Sequence, residues 1–165
     1  MKRILIAVIT ALFFIPLQET NACTSAIITG KVTPDGRPLL WKHRDTGTLD
    51  NRIEYFDKTK DRSIKYAFIA LVDSPKETKE AWIGTNEVGF SIMNTASYNL
   101  TYEEVSIQDQ EGVVMYNALA TCRTLKDFEK MLSKMKFPTG VEANFGVIDA
   151  EGGAAYYEVS CRDWV

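Results

Sequence analysis

The chain has 165 residues, of which 45% are hydrophobic and 25% are charged, and its formal net charge is −3. This composition is ordinary for a globular protein, and the chain lacks the basic clusters that typify nucleic-acid binding. Three cysteines are too few for a disulfide-rich scaffold. Beyond residue 22, no apolar run approaches the length of about 18 residues that a membrane-spanning helix needs.

The first 22 residues have the three parts of a secretory signal peptide. Two basic residues supply the charged start, an apolar stretch runs from Ile4 to Leu17, and Thr20-Asn21-Ala22 gives the small-x-small pattern before a cleavage site. We therefore expect cleavage after Ala22, export to the periplasm or the exterior, and one mature domain over residues 23–165.

Cleavage after Ala22 makes Cys23 the first residue of the mature chain. A thiol and an α-amine then belong to one residue, which is what an N-terminal nucleophile requires. The thiol attacks, and the α-amine, with a reference pKa of about 7.7–8.0, can take its proton near neutral pH.

Three other interpretations of Cys23 remain open. Lipoprotein processing also cuts before a cysteine and would anchor the protein to a membrane, although the usual Leu three residues earlier is replaced here by Thr20. A disulfide could join two of Cys23, Cys122 and Cys161, which would leave one thiol without an intramolecular partner. Cys23 could also be a small core residue.

The mature chain opens with a predicted hairpin. Residues 24–32 and 38–44 are predicted strands, and Thr33-Pro34-Asp35-Gly36 between them is a turn sequence. A hairpin places the end of its second strand beside the start of its first. We therefore expect Asp45 to lie close to Cys23.

The rest of the chain predicts strands, then two helices, then strands again. The predicted strands are 52–56, 63–72, 80–85, 89–95, 144–149 and 154–159, and the helices are 110–120 and 124–135, with Thr124 as an N-cap. Blocks of strands and helices predict a layered α+β fold. The chain ends at Val165 directly after a predicted strand, and we expect the domain to continue beyond it.

The hairpin end carries Lys42, His43, Arg44 and Asp45. We predict that Asp45 orients the α-amine of Cys23; the alternative is that this run is a solvated strand end. His43 is the only histidine, so a Cys–His dyad would need it, but strand alternation turns His43 away if Lys42 faces Cys23. One histidine and scattered cysteines do not give metal-ligand spacing, so we expect no metal and no cofactor.

Asn94 lies near the end of an apolar predicted strand. There its side-chain amide could donate a hydrogen bond to an oxyanion or to a substrate carbonyl. The alternative is an asparagine that caps a turn.

Four segments in order resemble the N-terminal-nucleophile cysteine hydrolases, in the branch that holds choloylglycine hydrolases, penicillin V acylases and the isopenicillin-N acyltransferase. These segments are Cys23-Thr24-Ser25, Asp35-Gly36, Lys42-His43-Arg44-Asp45 and the strand 86–94, which is similar to the family's Asn-Glu-x-Gly-Leu strand. Residues 145–158 are similar to the acyltransferase branch in particular.

The resemblance implies the family's αββα sandwich and hydrolysis or transfer at linear amide C–N bonds. Carried over by position, Cys23, Asp45 and Asn94 would be catalytic. We also expect Lys42 and Trp82 to bind a small-molecule amide substrate. Lys42 stands where the family usually has Arg, and the family's enzymes run well beyond this length. We keep two other hypotheses: an inactive, truncated family member, and a lipid-anchored envelope binding protein.

Overall fold

The structure is a computed structural model, and it describes residues 23–74, 79–97, 100 and 107–165. The predicted signal peptide, residues 1–22, lies outside the described residues. No helix in the described part of the chain is long and apolar enough to cross a membrane.

The described chain begins with the predicted hairpin, whose antiparallel strands are β1 (Thr24–Ile28) and β2 (Leu39–His43). β1 ends earlier than its predicted end at Val32. The N–H of Val32 donates to the carbonyl of Thr29, so this segment makes its hydrogen bonds within a turn.

Six further strands form one antiparallel sheet in which each strand pairs with the next along the chain. They are β3 (Asn51–Phe56), β4 (Phe68–Asp73), β5 (Ile83–Asn86), β6 (Ser91–Ala96), β7 (Ala143–Ile148) and β8 (Ala154–Val159). β8 has its predicted bounds. β5 begins three residues later than predicted.

The predicted strand over 63–72 is wrong in its first half, because β4 begins at Phe68. The N–H groups of Lys65 and Tyr66 both donate to the carbonyl of Ala120. Ala120 lies in the last turn of a helix, where carbonyls lack partners within the helix. Lys65 and Tyr66 therefore bind that helix end, and residues 63–67 lie outside β4.

Two helices, α1 (Glu111–Thr121) and α2 (Leu125–Leu132), lie between β6 and β7. Thr124 is the N-cap of α2, as predicted. Its side chain accepts from the N–H of Asp127, and the Asp127 carboxylate accepts from the N–H of Thr124. α2 stops before the predicted position 135, because the chain tightens there into shorter-range hydrogen bonds.

One face of the sheet packs against the two helices. Phe68, Ile92 and Phe145 belong to this core and are at most 2% exposed. Phe128 of α2 packs edge-on against Phe145, with ring centroids 5.8 Å apart. This side of the sheet is closed by apolar contacts, which supply the hydrophobic stabilisation of the domain.

The opposite face carries the β1–β2 hairpin, which lies over β6 and β7. Toward β3 the same face is open, and Ile53 and Ile69 are 67% and 46% exposed. The described residues thus form a helix layer, a sheet and a partial hairpin layer. The predicted α+β class is confirmed, and the αββα sandwich remains a prediction.

Candidate active site

The open end of the hairpin brings Cys23 and Asp45 together, as the sequence predicts. Thr24 lies opposite His43. Cys23, which precedes Thr24, therefore lies beside the residues that follow His43. The Sγ of Cys23 lies 3.7 Å from the main-chain oxygen of Asp45, to which it donates weakly. Asp45 is exposed, and its role in orienting the α-amine stays a prediction.

Lys42 and His43 lie on opposite sides of β2, because side chains alternate along a strand. Lys42 faces the sheet beside its cross-strand partner Ser25. Cys23 precedes Ser25 by two positions, so it belongs to the same side and is a diagonal neighbour of Lys42. His43 is exposed on the other side, and this arrangement does not favour a Cys23–His43 dyad.

The ammonium of Lys42 joins two other predicted site residues. Its Nζ donates to Oδ1 of Asn94 at 2.7 Å and to the main-chain oxygen of Trp82 at 2.9 Å. Asn94 is 7% exposed and comes one residue after Met93, which forms the end pair of β6 with β5. The structure therefore gathers Lys42, Trp82 and Asn94 at the position where β5 begins.

Burial changes the acid–base behaviour of Lys42. Loss of hydration lowers the pKa of its ammonium to about 8, while the charge of Cys23 raises this pKa and the charge of Arg44 lowers it. Desolvation is the largest of the three effects.

Trp82 contributes to the site through its main chain. Its carbonyl holds Lys42, and its ring lies under the Arg44 guanidinium, 4.8 Å from ring centroid to Cζ. Its indole Nε1 is buried and has no hydrogen-bond acceptor among the described residues. Substrate contact by the indole stays a prediction.

Arg44 ties the end of β2 to the sheet, which the sequence did not reveal. Its guanidinium donates to Oδ1 of Asp73 at 2.6 Å, and each of these side chains is 13% exposed. It also donates to the side-chain oxygen of Asn51. Asp73 and Asn51 form the end pair of β4 and β3, so this cluster depends on a strand register that sequence patterns do not supply.

A second tie joins β1 to β8. The hydroxyl oxygens of Ser25 and Tyr156 lie 3.1 Å apart. Gly146 of β7 makes room beneath this contact, since a Cβ there would lie 2.7 Å from the Met93 Cε and 3.0 Å from the Tyr156 Cε1. Neither Ser25 nor Tyr156 stood out in the sequence as a site residue.

An apolar groove of about 360 Å³ lies between β2 and the open part of the sheet. Its aliphatic lining includes Pro38, Leu39, Leu40, Ile53, Ile69, Leu71, Ile83 and Ile148. Leu40 and Lys42 are two residues apart on one side of β2, so the groove adjoins the site. Its size and lining suit a small apolar group.

The other two cysteines are core residues. Cys122 and Cys161 are 2% and 1% exposed, and burial raises the pKa of the Cys122 thiol to about 11. A buried thiol of this kind is a poor nucleophile. No disulfide joins Cys23, Cys122 and Cys161. Of the three, Cys23 alone combines partial exposure with neighbouring polar groups.

No protein-family model matches the chain, and no curated protein matches its sequence. Among solved structures, it is similar to penicillin V acylase from Agrobacterium tumefaciens, with a TM-score of 0.48 and 14% sequence identity. The match covers 87% of this chain and 39% of that one. The chain thus spans about two fifths of the length of that acylase, and the likeness is a distant one in fold.

Proposed function

We propose that this chain, once cut after Ala22, is an exported hydrolase or acyltransferase that acts on linear amides through Cys23. The observation that carries the proposal is the hairpin end, where Cys23 lies against Asp45 and beside the Lys42–Asn94 contact. A thiol, a cation and an amide donor are the groups that acyl transfer through a thioester uses.

The reaction begins when the Cys23 thiol gives its proton to its own α-amine and the sulfur attacks the amide carbonyl carbon. The C–S bond forms, and the carbonyl oxygen becomes an oxyanion that accepts hydrogen bonds from Nδ2 of Asn94 and a main-chain N–H. The α-amine then gives the proton to the leaving nitrogen as the C–N bond breaks. Water, or an acceptor amine in a transfer, cleaves the thioester and restores the thiol.

The proposal includes the αββα sandwich and export. The helix layer, the six-stranded sheet and the hairpin layer would be three of the four layers of that sandwich. Export belongs to the proposal because removal of residues 1–22 is what gives Cys23 an α-amine. The apolar groove beside Lys42 supports a substrate with a small apolar group next to the scissile amide.

Exported protein and a series of N-acyl p-nitroanilides with acyl chains of increasing length test the proposal. We expect an intact mass that starts at Cys23 and release of p-nitroaniline by the wild-type chain. Cys23→Ser and a variant with one extra alanine before Cys23 should both be inactive. The second variant keeps the thiol and removes only its α-amine, so it isolates the base.

Two outcomes contradict the proposal. A mass increased by a diacylglycerol group on Cys23 would indicate a lipid-anchored protein. A correctly cut wild-type chain that releases no more p-nitroaniline than Cys23→Ser would indicate that no amidase site is assembled.

A further inference from the structure

We propose that Lys42 is a positioning residue that fixes the side-chain amide of Asn94, with its oxygen on Lys42 and its NH2 group directed away, toward an oxyanion. The inference rests on the proposed function for its purpose. The contact itself belongs to the protein without substrate, so it can be tested separately.

The chemistry of an ammonium fixes which atom of Asn94 faces Lys42. An asparagine amide has an oxygen that accepts and a nitrogen that donates, and a rotation of about 180° exchanges them. A lysine ammonium can only donate. The Asn94 atom at 2.7 Å from Lys42 Nζ is therefore its oxygen, and the NH2 group lies on the other branch of the amide.

Trp82 holds the ammonium in place. Its main-chain oxygen accepts a second hydrogen bond from Lys42 Nζ at 2.9 Å. A hydrogen bond from a charged donor is about twice as strong as one between neutral groups, and both acceptors lie in a part-buried region where few waters compete. Lys42 thus has two fixed acceptors, the Trp82 main-chain oxygen and Asn94 Oδ1. Its hydrogen bond to Asn94 permits only one orientation of that amide.

The orientation matters because only the NH2 group of Asn94 can stabilise an oxyanion. If the amide rotates, its oxygen faces the developing negative charge and repels it. Lys42→Met would fill similar space without a donor, so the Asn94 amide would lose its preference for one orientation. Lys42→Arg would restore a donor-only group, although the planar guanidinium has a different shape.

The side-chain amide signals of Asn94 in 15N-labelled mature protein test the contact directly. The signals are assigned by their loss in Asn94→Asp. In Lys42→Met we expect them to move or to split into two sets, whereas in Lys42→Arg one set should remain. Lys31→Met is the matched control, because Lys31 is an exposed lysine in the same hairpin. Coincident Asn94 signals in wild type and Lys42→Met would overturn the proposal.

A second variant keeps the test decisive if Lys42→Met does not fold. Asn94→Asp places a carboxylate where the amide oxygen accepts from Lys42. We expect this charge to raise the pKa of Lys42 above its wild-type value, as followed by the Lys42 side-chain carbon signals during a pH titration. An unchanged Lys42 titration in Asn94→Asp would contradict the contact.

Two probes of Cys23 separate oxyanion stabilisation from thiol reactivity. Acylation by p-nitrophenyl acetate passes through an oxyanion, and alkylation by iodoacetamide does not. We expect Lys42→Met to lower the ratio of the acylation rate to the alkylation rate by about 10²-fold, the effect of losing one oxyanion donor. Lys42→Arg should recover most of it. An unchanged ratio in Lys42→Met would refute the positioning role.

Failure of this inference differs from failure of the proposed function. If Asn94 signals ignore Lys42 while the chain hydrolyses amides through Cys23, the function stands and the inference falls. If Asn94 signals respond to Lys42 while no amide is hydrolysed, the contact is real and the proposed function falls.

Discussion

The two faces of the six-stranded sheet are built differently. The helix-covered face is closed by aromatic and aliphatic side chains such as Phe128 and Phe145, both 0% exposed. The hairpin-covered face leaves Ile53 at 67% exposure, and the hairpin is bound there by Lys42, which donates to the main chain of Trp82, and by Arg44, which pairs with Asp73. The helix face therefore supplies most of the stability, and the hairpin side carries the candidate chemistry.

Charged groups are costly to bury, and the two cations through which the hairpin contacts the sheet, Lys42 and Arg44, are both paired. Lys42 exchanges hydration for two acceptors, and Arg44 exchanges it for the part-buried carboxylate of Asp73. Sites that carry chemistry commonly keep such unfavourable groups, with stability supplied elsewhere in the fold. Variants on each face can test this division.

The largest expected effect is on the helix face. Phe145→Ala should lower the free energy of unfolding by about 3–5 kcal/mol, because it leaves a cavity in a closed core. Ile69→Ala on the other face is the control and should cost less than about 1 kcal/mol, since Ile69 is already 46% exposed. Urea denaturation measures both. Equal losses would contradict the division between the faces.

The part-buried ion pair of Arg44 and Asp73 on the hairpin face should have the next largest effect. Arg44→Met should cost about 3 kcal/mol, because it leaves the carboxylate of Asp73 part-buried without its cation. The double variant Arg44→Met with Asp73→Leu should regain much of this loss, since no charge is then stranded. If the double variant is as unstable as the single one, the pair does not act as described.

Lys42 should give the hairpin face a distinct pH dependence. Folding lowers the pKa of Lys42 from 10.5 to about 8, so between these values the unfolded chain binds more protons than the folded one. The free energy of unfolding therefore rises with pH across that window, by on the order of 2 kcal/mol. Other groups titrate there too, so the wild type is compared with Lys42→Met.

In Lys42→Met this contribution should be absent, and the stability of the wild type relative to the variant should increase from pH 8 to 10.5. Cys122 titrates in the same range with a raised pKa, but it does so in both chains and cancels. Parallel stability curves would show that Lys42 is not desolvated in the folded protein.

The smallest effect concerns the helix face alone. Thr124→Ala should cost about 1 kcal/mol, because it removes the side-chain acceptor of the capping box on α2. Thr124→Ser should retain most of that stability. Acylation of Cys23 should be unchanged in both variants, as the cap lies on the side away from the hairpin. A loss of acylation in folded Thr124→Ala would contradict the division of stability and chemistry between the two faces.

Local patterns predicted the elements whose signals are local. The N-cap at Thr124 and the strand Ala154–Val159 were both predicted from short segments. Residues 63–67 have the composition of a strand but lie outside β4, because two long-range hydrogen bonds from Lys65 and Tyr66 to Ala120 outweigh their β propensity.

The site was predictable only where a hairpin defines it. The turn at 33–36 was enough to bring Asp45 to Cys23. The contact between Lys42 and Asn94 spans 52 positions and depends on how the hairpin stacks on the sheet. The same holds for Asn86 at the end of β5, which is 5% exposed and donates to the carbonyls of Leu119 and Cys122.

The most direct test of the central claim is to trap the acyl group and locate it. Mature protein is quenched in acid after brief reaction with a p-nitrophenyl ester at neutral pH, and its peptides are mapped by mass spectrometry. The account predicts one acyl group, as a thioester on Cys23, absent from Cys23→Ser and lost again as the ester is turned over. Acyl groups spread over surface lysines, with equal p-nitrophenol release by Cys23→Ser, would contradict it.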